Sequence, residues 1–159
     1  MSDAEQIGFD IEFDDKTQAW LDWLEPARMK QAVRTFLADT LNPSVDQPNW
    51  WEPEVFDRLG ERIAAVFPNL DALTAADNRE IADQLVRFLG EGFIRRTGMI
   101  WVNNPEWGEL LYTDFGPCVQ FEGDQPSIVS MTHMAELTAT GEFGAVLSIL
   151  DDCLRRDRR

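Results

Sequence analysis

The sequence predicts an α+β fold in one domain, residues 1–159, with a small antiparallel sheet packed against several amphipathic helices. Three observations predict it. Ile81, Leu85, Phe88, Leu89 and Phe93 recur at the spacing of one helix face, and the run stops at Gly98. Residues 99–102, 109–113 and 118–121 are short β-type runs separated by turn-forming residues, the pattern of a three-stranded meander. Ile7, Phe9, Ile11 and Phe13 alternate with Gly8, Asp10, Glu12 and Asp14, which reads as an N-terminal edge strand with one wet face.

The elements follow in order. After the edge strand, Asp15 with Gln18 makes a capping box for a short helix bearing Trp20, Leu21, Trp23 and Leu24. Pro26 suits the first turn of a second helix, with Met29, Val33, Phe36, Leu37 and Leu41 on one face. Residues 42–49 form a proline-bounded loop. Pro53 then starts a third helix, in which Trp51 and Phe56 are placed to form a hydrophobic staple, and Pro68 ends it. Thr74 and Asp77 read as a shortened cap for the long helix over 74–97. Arg95, Arg96 and Gly98 fit its C-terminus. Ser127 or Ser130 caps a helix with Met131, Met134, Ala135 and Leu137, broken at Gly141. Phe143, Val146, Leu147, Leu150, Cys153 and Leu154 give a final helical stripe.

Charge is the unusual property, at −15. Residues 97–154 carry nine acids and no Lys or Arg, while residues 155–159 carry four Arg. A stretch without cations is poor material for phosphates, so neither nucleic acid nor an anionic membrane is an expected partner. A basic protein is the partner this charge permits; acidity that serves solubility alone is the plainer alternative. The N-terminus is acidic and lacks an apolar segment, and no run reaches the length of a membrane span, so a cytoplasmic location is expected. The oligomeric state is not specified by the sequence.

The chemistry-bearing residues are sparse. His133 is the single histidine and lacks the spacing of a zinc site with Cys118 and Cys153, so no metal or cofactor is expected. A Cys118–His133 dyad is arithmetically available, but Cys118 opens a strand of apolar alternates. No catalytic residue is assigned. Gly90-Glu91-Gly92 fails as a phosphate loop, because Arg95 stands where the third glycine belongs and the glycines lie in a helix. Close approach of another backbone explains them better.

Two functional classes remain. The first is a non-enzymatic interaction module of inhibitor, immunity or adaptor type, using Trp50, Trp107, Glu106 and Glu109 toward a basic partner. The second is a small-ligand binder or unsignposted enzyme with a pocket between the 75–97 helix and the meander, lined by Glu91, Arg95, Asn103 and Tyr112.

Leu89-Gly90-Glu91-x-Phe93, Gly98-x-x-Trp101-Val102 and Pro117-x-Val119-x-Phe121 together resemble a pattern in uncharacterised bacterial domains of unknown function. The resemblance covers residues 75–155. It implies a helix leading into a small sheet and then further helices, an α+β fold, and it transfers no catalytic residue. Such families carry Pro after the last strand's Phe, where this chain has Glu122.

Overall fold

The computed structural model describes residues 15–41 and 49–157. The expected edge strand at residues 7–13 and the loop over 42–48 lie outside them. Residues 15–24 are helical (α1), and Pro26 at the first helical position opens α2, Pro26–Thr35, which ends in a π-helical turn, Phe36–Leu41. Pro53 opens α3, Pro53–Val66, in the same way. A short α4, Leu70–Thr74, is capped by Asn69, whose side chain accepts from the Ala72 N–H.

The helix expected from Thr74 starts later. A 3-10 turn at Ala76–Asn78 precedes α5, Arg79–Thr97, and the Thr74 hydroxyl donates back to the Leu70 carbonyl instead of capping forward. Gly98 closes α5 at φ 80°, as the C-cap reading requires. The rest comprises β1 (Ile100–Asn103), β2 (Pro117–Gln120), β3 (Val129–Ser130), α6 (Met131–Ala139) and α7 (Phe143–Asp157).

The three strands form an antiparallel sheet in the order β1-β2-β3, with Trp101 opposite Val119 and Val119 opposite Val129. Its membership corrects the expected meander. Residues 109–113 are a turn, not a strand, because the Leu111 and Tyr112 N–H groups both fold back to the Gly108 carbonyl. Residues 129–130 supply the third strand.

Helix α5 is the centre. Every residue from 84 to 90 is buried, as befits a helix wrapped on all sides by α2, the π-helical turn, α6, α7 and β2. Two aromatic groups flank it. On one side Phe88 meets Phe36, Phe56 and Trp50. On the other, Trp23 meets Trp20, Trp101, Tyr112 and Phe115. The expected staple is replaced: Phe56 stacks on Phe88 and Trp51 carries the Arg95 guanidinium over its ring at 4.5 Å. The two helical glycines face rings rather than backbone, Gly90 under Trp101 and Gly92 against Phe56.

Among the described residues no helix is long and apolar enough to cross a membrane. Cys118 and Cys153 are both buried free thiols.

Candidate functional site

The connection from β1 to β2 builds one wall of a groove. Its base is pinned where the Asn104 N–H donates to the Gly116 carbonyl and the Asn103 side-chain oxygen accepts from the Gly116 N–H, both at 2.8 Å. A Cβ on Gly116 would collide with the Asn104 carbonyl, so only glycine closes this loop. A 3-10 turn, Pro105–Trp107, then carries its tip outward. The Ser130 hydroxyl donates to the Trp107 carbonyl at 3.4 Å and accepts from the His133 N–H at 3.2 Å. One side chain thus caps α6 and tethers the loop.

This arrangement holds the Trp107 backbone while leaving its ring 45% exposed, beside Leu110 at 38%. Facing them are Ile128, Val129, the first turns of α6 and Ile149 of α7, which enclose about 540 Å³. That volume lies within the range of about 300–1,000 Å³ typical of ligand sites. Among the described residues no Lys or Arg lines the groove. Its titratable members are His133 and Glu136, with Nδ1 and Oε1 3.2 Å apart. Glu106 and Glu109 are exposed on either side of Trp107. Thr132 also lines the groove, is 2% exposed, and its hydroxyl has no hydrogen-bond partner among the described residues. Leaving a buried hydroxyl unpaired costs about 1–3 kcal/mol.

The Ser130 hydroxyl is engaged by the helix cap and the loop, and Cys118, opposite Ser130 across the sheet, is a buried thiol in β2. Burial pushes that thiol's pKa up to about 12, against a small lowering by the Asn104 backbone, so it holds its proton and is a poor nucleophile. No dyad forms with the exposed His133, which pairs with Glu136. Among the described residues no three His, Cys, Asp or Glu side chains gather as a metal site.

A second cavity, about 580 Å³, lies between α1, α5 and Tyr112. Asp83 organises it by accepting from Trp23 Nε1 at 2.7 Å, the Tyr112 hydroxyl at 2.5 Å and Arg87 Nε at 2.9 Å. Arg87, 4% exposed, also donates to the Trp23 carbonyl at 2.8 Å and lies 4.3 Å over the Trp23 ring. The network closes on itself and fastens α1 to α5. Burial, and then the neighbouring Asp83 carboxylate, raise the Tyr112 pKa well above 10.0.

Tyr112 is the only tyrosine, so the phenolate absorbance of the whole chain reports on it alone. The folded pKa lies above the unfolded one. The neutral phenol therefore contributes stability that is complete below about pH 10 and declines as pH rises toward the folded value. The native protein is expected to show no phenolate signal at pH 10, where the urea-unfolded chain is half ionised. An equal signal in both states would show that the Tyr112 hydroxyl is not buried beside Asp83.

The four residues expected to share a ligand pocket do not converge. Glu91 accepts from Trp101 Nε1 at 3.0 Å, Arg95 covers Trp51, and Asn103 pins the loop. Tyr112 lines the cavity around Asp83, in which none of the other three is a lining residue. Of the residues expected at a partner surface, Trp107 lines the groove with Glu106 and Glu109 beside it, whereas Trp50 packs on Phe88. Sequence reasoning missed Thr132 and the Asp83–Arg87 pair, though the i,i+4 spacing of the latter was a usable signal. Comparison with family models, with curated proteins and with solved structures finds no match, so no role is carried to these residues from a relative.

Proposed function

We propose that this protein is a non-enzymatic recognition module that docks a basic protein on the acidic face around Trp107. The supporting observation is a groove that exposes Trp107 and Leu110, has no Lys or Arg among its described lining residues, and carries Glu136 in its wall, with the exposed Glu106 and Glu109 beside Trp107 in the chain. Exposed aromatic surface at the centre of a patch is the usual source of binding energy. The surrounding acid accelerates encounter with a positive partner and disfavours negative ones.

The immobilised full chain should retain a basic protein from source-cell extract at low salt and release it at high salt. Reversing charge in Glu106→Lys with Glu109→Lys should slow association about tenfold and flatten its salt dependence. Unchanged kinetics would exclude this face.

A further inference from the structure

We propose that the groove is an anchor pocket for one large apolar side chain of the partner, presented in a short segment with Lys or Arg on both flanks. This rests on the recognition reading and adds what is recognised. Among the described residues Leu21, Ile100, Trp107 and Leu110 are the exposed large apolar side chains, and two of them line this one groove. Ile128, Val129, Met134 and Ile149 continue the apolar wall, so the interior suits a hydrocarbon or aromatic side chain.

The Thr132 hydroxyl is buried behind this wall and unpartnered among the described residues, so it offers an inserted segment no hydrogen bond. The rim sets the flanks. Glu136 lines the groove, the exposed Glu106 and Glu109 lie beside Trp107 in the chain, and no Lys or Arg is among the described lining residues, so paired cations beside the anchor are the complementary charge. His133 Nδ1 lies 3.2 Å from Glu136 Oε1 within this wall. A second copy of this chain, at −15, is repelled.

The test uses the full chain and a labelled synthetic peptide with a central Phe between paired lysines. Fluorescence anisotropy reads affinity, and nuclear magnetic resonance reads the Thr132 amide and the ring of His133, the only histidine. The expected result is binding that shifts both signals and weakens with salt. Affinity should fall about tenfold when the central Phe becomes Ala, and similarly in Trp107→Ala and Leu110→Ala, the second variant guarding against misfolding of the first.

Equal affinity for the central-Ala peptide would overturn the anchor while sparing recognition by charge. Equal affinity after the lysines become serines would overturn the flanking requirement. Shifts confined to residues around Asp83, or groove signals that respond to free indole but not to the peptide, would place the ligand elsewhere or make it a small molecule, and sink the proposal. No binding of any basic peptide or protein at low salt would sink the recognition reading with it.

Discussion

Replacing Asp83 by Ala is expected to lower the unfolding free energy by about 3 kcal/mol, the low end of the loss when one partner of a buried ion pair is removed, because Arg87 is buried while the Asp83 side chain is 29% exposed. The reason is the number of groups that depend on one carboxylate. Arg87 would keep its charge while buried, and the Trp23 indole N–H and Tyr112 hydroxyl would lose their acceptor. Asp83→Asn keeps an acceptor oxygen for some of these donors and should cost less, about 1–3 kcal/mol. Equilibrium urea unfolding, followed by circular dichroism at neutral pH, separates the two. Because the network is what joins α1 to α5, the Ala variant should also expose Trp23 and redden its emission. A loss under about 1 kcal/mol would show that α1 is held by its aromatic contacts alone.

That network also marks where the sequence stops being legible. Helices α2, α3 and α5 to α7 follow from periodicity and from particular end residues: Pro26 and Pro53 at first turns, Gly98 with its positive φ, and Ser130 as a cap. Residues 109–113 have strand-like composition but are tied into a turn by Gly108, a tertiary outcome that overrides local propensity. The real third strand, Val129–Ser130, is too short to leave a periodic trace. Trp107 was visible as a lone aromatic among turn residues. Its opposite wall was not, since Ile128 and Ile149 reach the groove only through folding of distant segments. Asp83 draws on Trp23 and Tyr112, which lie 60 and 29 residues away along the chain.

Gly90→Ala should destabilise the protein by about 1–3 kcal/mol, the cost of overpacking, although glycine-to-alanine in a helix ordinarily stabilises by about 1 kcal/mol. A Cβ at Gly90 would run into the six-membered ring of Trp101. That ring has little freedom to retreat. Its Nε1 donates to Glu91 at 3.0 Å, its face meets Trp23 edge-on at 4.9 Å, and its backbone pairs with Val119. Gly144 in α7 is the internal control, since a Cβ there meets nothing within 4 Å and alanine should stabilise. Opposite signs for the two substitutions, read from urea midpoints, are therefore the expected outcome. Shrinking the ring in Trp101→Leu should recover part of the Gly90→Ala loss as a positive coupling in the double-variant cycle. If Gly90→Ala instead stabilises as Gly144→Ala does, the Trp101 ring is not seated on α5, and the aromatic group that carries α1 would need another support.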